Sequence, residues 1–146
     1  MSTAAAVKPS LTIRRRFKAP PARVFAAWTE PAQIARWFGP GGVKVLEAVF
    51  ELRVGGRFMV HGTSPSGEDH RVSGTVQEIV PGRKVSYTWA WQSTPERQSL
   101  VTVEFKPDGD GTVLTLTHEQ FFDEGARDRH NMGWTAALEK LEAYLA

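Results

Sequence analysis

The stretch KVSYTWAWQ, residues 84–92, decides the fold of this chain. Its apolar and polar side chains alternate, so that Val85, Tyr87, Trp89 and Trp91 share one face. A period of two is typical of a strand with one buried face, because successive side chains of a strand point to opposite sides. The aromatic side chains on that face predict a strand that packs against a large apolar core.

Further segments on both sides of this strand are also predicted as strands, the first of them with only loose alternation, and are separated by short turns rich in glycine and proline. They are residues 43–52, 57–63, 71–80, 98–106 and 112–121. Gly55 with Gly56 predicts a turn of positive φ. Six consecutive strands joined by short turns favour an antiparallel meander. Glu78 shares its parity with Val72 and Val76, which predicts a buried carboxylate that needs a partner.

The last segment, residues 123–146, changes to a helical period. Trp134, Leu138, Leu141 and Leu145 repeat at positions i, i+4, i+7 and i+11. Gly133 lies inside this pattern, where glycine costs about 1 kcal/mol relative to alanine. We therefore expect an amphipathic helix that covers the sheet, with another backbone or a ligand close to the glycine.

The N-terminal part of the chain predicts one strand and two short helices. Residues 11–18 alternate as a half-buried strand that places Arg15 among apolar side chains. Two prolines stop this strand. A helix over residues 21–28 follows, and a second begins at Pro31, which we expect the Thr29 hydroxyl to cap.

This order of elements, β-α-α-β-β-β-β-β-β-α, predicts an α+β chain with the helix-grip fold, in which a curved antiparallel sheet wraps around a long C-terminal helix. The length of 146 residues suits one domain. We expect that domain over residues 10–146, preceded by a flexible N-terminal arm at residues 1–9.

Several short segments carry a family resemblance when they are taken in chain order. They are RRFKAP at 15–20, WT at 28–29, WFGP at 37–40, GGRF at 55–58, GTVQEI at 74–79, YTW at 87–89, GT with LTH within 111–118, and GW at 133–134. Because of these segments, taken together and in this order, the chain resembles the Hsp90-ATPase-activator-homologue (AHSA1-like) family of the START/Bet v 1-like (SRPBCC) superfamily. The resemblance extends over residues 11–145.

The resemblance implies an internal cavity between the sheet and the helix. Relatives in the superfamily bind lipids, hormones, polyketides or other apolar molecules, and a few are cyclases, hydrolases or self-sacrificing resistance proteins. The cochaperones that give the family its name carry an additional N-terminal domain that this sequence does not include, so we do not expect Hsp90 activation. Family members often self-associate, which leaves a homodimer as an open alternative.

Composition and motifs exclude several classes of function. The net charge of +2 supplies little attraction to phosphates, so we expect no nucleic-acid partner. The sequence lacks cysteine and any apolar run of membrane-spanning length, which fits a cytoplasmic protein. His118 begins a zinc motif H-E-x-x-H, but Phe122 stands at the second histidine position. Residues 108–111, DGDG, favour a hairpin over a calcium loop, and we expect no metal and no cofactor.

A predicted ligand-binding wall combines aromatic side chains with two histidines, as small-molecule cavities combine apolar walls with a few polar groups. Its members are Trp37, Phe38, His61, Tyr87, Trp89, Trp91, His118, Phe122 and Trp134. The alternative for the aromatic residues is plain core packing, and for His118 a hydrogen-bonded inward position beside Leu114 and Leu116. Arg15 and Glu78 are further candidates for polar ligand contacts, with the alternative that they form a structural pair or are strand-edge residues.

The leading functional hypothesis is a non-catalytic protein that binds an apolar or aromatic small molecule. A second hypothesis is a cyclase or hydrolase with His118 or His61 as general base, because proton transfer requires such a group within reach of the substrate. A third is a chaperone-linked protein-interaction module that uses an exposed apolar surface.

Overall fold

The chain forms one curled antiparallel sheet with helices packed against it, and a computed structural model describes residues 8–39 and 42–146. The strands are β1 (Leu11–Phe17), β2 (Lys44–Phe50), β3 (Arg57–Thr63), β4 (Asp69–Val80), β5 (Lys84–Trp91), β6 (Ser99–Asp108) and β7 (Gly111–Glu119). The helices are α1 (Pro21–Thr29), α2 (Pro31–Trp37) and α3 (Glu124–Leu145). The strand order β1-β7-β6-β5-β4-β3-β2 confirms the predicted meander, to which β1 adds at the β7 edge.

The predicted helix-grip fold is confirmed, since the sheet curls into a half-barrel that holds α3. The β3 bounds coincide with the predicted ones, and the remaining strands differ by a few residues at their ends. The turn before β3 contains Gly55 with φ of 84°, as expected. Most of the predicted N-terminal arm, the last position of the WFGP segment (residue 40) and the residue after it (41) lie outside the described residues.

The C-terminal helix α3 begins where the sequence indicates. Asp123 is its N-cap, and the Asp123 carboxylate accepts a hydrogen bond from the Ala126 amide at 2.8 Å. Leu138 and Leu141 are fully buried against the sheet, as the helical period predicted. No helix among the described residues combines the length and the apolar character that crossing a bilayer requires.

The predicted capping of α2 by Thr29 is wrong. Thr29 is the last residue of α1, and its hydroxyl donates to the Phe25 carbonyl at 2.8 Å, one turn back. The extended residue that precedes α2 is Glu30, without a side-chain cap, and Pro31 opens the helix as expected. The hydroxyl of Thr29 is therefore occupied within α1.

The predicted burial of Glu78 is also wrong, because the pairing of β4 with β5 shifts register between Val76 and Glu78. The extra residue moves Glu78 to the outer face, where its carboxylate pairs with Lys84 at 3.1 Å. Arg15 is partly exposed and pairs with Glu142 of α3 at 3.2 Å. The two residues form separate ion pairs at the surface rather than a pair with each other.

Candidate ligand-binding cavity

A cavity of ≈ 490 Å³ lies between α3 and the half of the sheet that contains β2 to β5. Its volume falls within the range of small-molecule sites in proteins. Its lining residues are Phe38, Gly39, Val43, Val45, Val60, Gly62, His70, Val72, Trp89, Trp91, Arg129, His130, Gly133, Trp134 and Ala137. Most of these side chains are apolar, so the cavity offers an apolar ligand a place away from water.

Aromatic rings form the walls of this cavity. The ring centroids of Trp89 and Trp134 lie 5.2 Å apart, and Trp91 meets Trp89 edge to face at 5.5 Å. Phe38 contacts both Trp89 and Trp134, at 5.9 Å and 6.1 Å. Such tilted and edge-to-face contacts hold the rings in fixed orientations. The cavity therefore has preformed walls.

One face of α3 supplies the opposite side of the cavity. His130, Gly133, Trp134 and Ala137 follow one another at positions i, i+3, i+4 and i+7. A Cβ added to Gly133 would meet nothing within 4 Å. No other backbone approaches this glycine, so its missing side chain keeps the cavity open.

His118 lies behind the aromatic wall, fully buried, in a directed chain of hydrogen bonds. Trp134 Nε1–H donates to His118 Nδ1 at 3.0 Å, and His118 Nε2 lies 2.7 Å from Ser99 Oγ. Ser99 Oγ donates to the Trp89 carbonyl at 3.1 Å, so it must accept from His118 Nε2–H. Burial, with a smaller effect of His130, lowers the pKa of His118 well below its usual value. Neutral His118 thus fixes the position of Trp134.

His130 holds a second wall residue in the same manner. Trp91 Nε1–H donates to His130 Nε2 at 2.9 Å, and His130 Nδ1–H donates to the Ala126 carbonyl at 2.7 Å. Burial lowers the pKa of His130, the bond to Ala126 opposes this effect, and the charge of Arg129 adds to the lowering. Two neutral imidazoles therefore anchor two tryptophans of the cavity.

Four of the residues predicted as a ligand-binding wall line this cavity. They are Phe38, Trp89, Trp91 and Trp134. They come from the residue that follows α2, from β5 and from α3, so the fold brings together side chains that are distant in the sequence.

Three other predicted residues are buried in the core, away from the cavity lining. Trp37 donates through Nε1 to the Ala27 carbonyl at 2.9 Å, and the Tyr87 hydroxyl accepts from Trp28 Nε1 at 3.0 Å. Burial raises the pKa of Tyr87 above its usual value, which keeps the hydroxyl protonated. The third residue, His118, supports the wall from behind.

The last two predicted residues lie outside the cavity lining. His61 on β3 has its Nε2 3.4 Å from Asp69. Phe122 is 59% exposed, and the Arg97 guanidinium stacks over its ring at 3.9 Å. Neither His61 nor His118, the two candidate general bases, faces the cavity.

The cavity also contains residues that the sequence did not single out as ligand contacts. Arg129, His130 and His70 supply polar groups, while Gly39 and Gly62 leave space. The spacing of His130 from Trp134, one helical turn on the same face, was the signal available for His130. The described residues contain no group of three histidine, aspartate or glutamate side chains that could hold a metal ion.

Comparison with known proteins places these features in a family. A family model described as "Activator of Hsp90 ATPase homolog 1-like protein" matches residues 18–146. The chain is similar to the solved AHSA1 protein of Silicibacter pomeroyi, with a TM-score of 0.85 and 29% identity over 94% of this chain and 97% of that chain. It is similar to a protein of Chromobacterium violaceum, with a TM-score of 0.83 and 29% identity over 93% and 96% of the two chains. No match is found among curated proteins.

Proposed function

We propose that this chain, which belongs to the Activator of Hsp90 ATPase homolog 1-like family, binds an apolar or aromatic small molecule. The ligand would occupy the aromatic cavity between α3 and the sheet. The observation that carries the proposal is the cavity itself, with tryptophan walls held in place and a glycine in α3 that leaves the space unfilled. A helix that only covered a core would gain about 1 kcal/mol from alanine at that position.

The driving force for binding is the removal of apolar surface from water. At about 25 cal/mol per Å², a ligand that buries roughly 200 Å² of apolar surface gains about 5 kcal/mol before the entropic costs of association. Preformed walls reduce those costs, because the tryptophan side chains lose little freedom when the ligand enters.

The hydrogen bonds of the histidines around the cavity support ligand binding without catalytic turnover. The nitrogens of His118 and His130 are engaged in hydrogen bonds with Trp134, Ser99, Trp91 and the Ala126 carbonyl. A general base must reach the proton that it abstracts. Imidazoles that serve as acceptors for wall tryptophans support a structural role for these histidines.

A thermal-stability screen with aromatic and alkyl compounds tests the proposed function. A ligand at 100 times its dissociation constant stabilises the native state by about 2.7 kcal/mol, because it binds the folded chain and not the unfolded one. We expect a subset of apolar compounds to raise the melting temperature in a concentration-dependent manner. A screen in which no apolar compound shifts the melting temperature would contradict the proposal.

A further inference from the structure

We infer that the ligand is an amphipathic organic acid, whose apolar body fills the aromatic cavity and whose carboxylate pairs with Arg129. This inference rests on the proposed function and specifies the chemical class of its ligand. It follows from the charges at the cavity and from the direction of its hydrogen bonds.

The charge at the cavity has one sign. Arg129 is the lining residue with a permanent charge, and the lining contains no aspartate or glutamate among the described residues. No described carboxylate pairs with Arg129, whereas Arg127, two residues earlier in α3, pairs with Asp128 at 3.1 Å. His70, another polar residue of the lining, has its Nε2 3.9 Å from the carboxylate of Glu68, which lies outside the lining. Arg129 is therefore the lining group that can pair with an anionic ligand group.

Arg129 lies at the exposed edge of the cavity lining, and its guanidinium extends back toward Gly125 in the first turn of α3. Arg129 precedes His130 in α3 and is close enough to contribute to the lowered pKa of that imidazole. A guanidinium offers several N–H donors in a planar arrangement that matches a carboxylate. At this border between solvent and cavity, the acid group can stay partly hydrated while the apolar body is buried.

The hydrogen-bonding groups of the wall point to the same class of ligand. Trp91 and Trp134 already donate to histidine nitrogens, and these nitrogens are thereby occupied as acceptors. The Nε1–H of Trp89 has almost no accessible surface and does not face the cavity. The Arg129 guanidinium is therefore the donor group that an acceptor of the ligand can meet at the edge of the lining.

Calorimetric titration with matched acids and amides tests this inference on the full chain. The probes are naphthalene-2-acetate with naphthalene-2-acetamide, and decanoate with decanamide. They are titrated into the natural sequence, into Arg129→Gln and into Arg127→Gln as the matched control. Both substitutions remove one positive charge from the same helix, but Arg127 does not line the cavity.

We expect the unaltered protein to bind at least one acid about tenfold more tightly than its amide, the gain typical of a charge-assisted hydrogen bond. Arg129→Gln should reduce this preference to less than about twofold, and Arg127→Gln should leave it unchanged. Equal binding of acid and amide would overturn the inference while leaving the cavity function intact. An equal loss in both variants would overturn it as well, because bulk charge would then explain the preference. If neither pair binds to the unaltered protein, the inference fails, and the thermal-stability screen decides separately whether the proposed function fails with it.

Discussion

Replacing His118 with leucine is expected to lower the free energy of unfolding by about 3 kcal/mol at pH 7.5. The substitution leaves the buried Trp134 N–H without its acceptor and removes the donor that Ser99 accepts from. An unpartnered buried polar group costs about 1–3 kcal/mol, and the loss of a closed network adds to this. Urea denaturation measures the change. His70→Leu is the matched control, since His70 is partly exposed and its replacement should alter stability by less than about 0.5 kcal/mol.

The same variant should respond less to acid than the natural sequence. Because burial lowers the pKa of His118 in the folded state, the unfolded chain binds a proton below about pH 6.5 that the folded chain excludes. This histidine therefore costs the natural sequence up to about 1.4 kcal/mol of stability between pH 7.5 and pH 5.5, the limit reached when the folded state takes up no proton, and leucine removes that loss. The penalty of His118→Leu should shrink by about that amount at pH 5.5. A penalty that is constant with pH would show that His118 titrates normally in the folded state.

Replacing Gly133 with phenylalanine is expected to weaken ligand binding about thirtyfold without destabilising the fold. A Cβ at this position meets nothing within 4 Å, so the ring would extend into the space that the ligand occupies. Overpacking an occupied site costs about 1–3 kcal/mol, and a loss near 2 kcal/mol corresponds to about thirtyfold weaker binding. Stability should stay equal or rise by up to about 1 kcal/mol, because glycine is a poor helix former.

Gly133→Ala is the control for this substitution. It removes the helix penalty of glycine but adds only one methyl group to a cavity of ≈ 490 Å³. Its affinity for naphthalene-2-acetate should stay within about threefold of that of the natural sequence, while its stability rises by up to about 1 kcal/mol. Binding by Gly133→Phe with unchanged affinity would place the ligand outside this cavity.

The architecture was predictable because each element has its own period along the chain. The turn residues on both sides, Gly55-Gly56 and residues 64–67, gave β3 its correct bounds, and the helical repeat around Leu138 predicted α3. The prediction from alternation failed where the pairing of β4 with β5 shifts register. A bulge there moves every following side chain of the strand to the opposite face of the sheet. Val80, which shares the parity of Val76, is therefore 42% exposed.

The cavity was less predictable than the core. The alternation of residues along a strand identifies which face is buried, but not whether the space beside that face is filled. Tyr87 and Trp89 are two residues apart on the same face of β5. Trp28 covers Tyr87 and donates to it, whereas Trp89 borders the cavity opposite Gly133. The difference depends on which side chains of α1 and α3, both distant from β5 in the sequence, pack against each of these two residues. No pattern within β5 contains that information.

Polar residues of the site were missed for a similar reason. Arg129 and His130 lie in a polar stretch at the start of α3, where charged side chains are usually solvated. Only the packing of α3 against β5 places His130 beside Trp91. His118, in contrast, has the inward parity of Leu114 and Leu116, and its hydrogen-bonded inward position was among the alternatives that the sequence offered.

Native mass spectrometry of the freshly purified chain tests most directly whether the cavity holds a small molecule. We expect a folded ion heavier than the polypeptide by the mass of one small molecule, which is lost under denaturing conditions. Gly133→Ala should retain this added mass, and Gly133→Phe should show the bare polypeptide. Bare polypeptide for all three proteins, together with no stabilisation by any apolar compound, would contradict the proposed ligand binding. So would an added mass that Gly133→Phe retains in full.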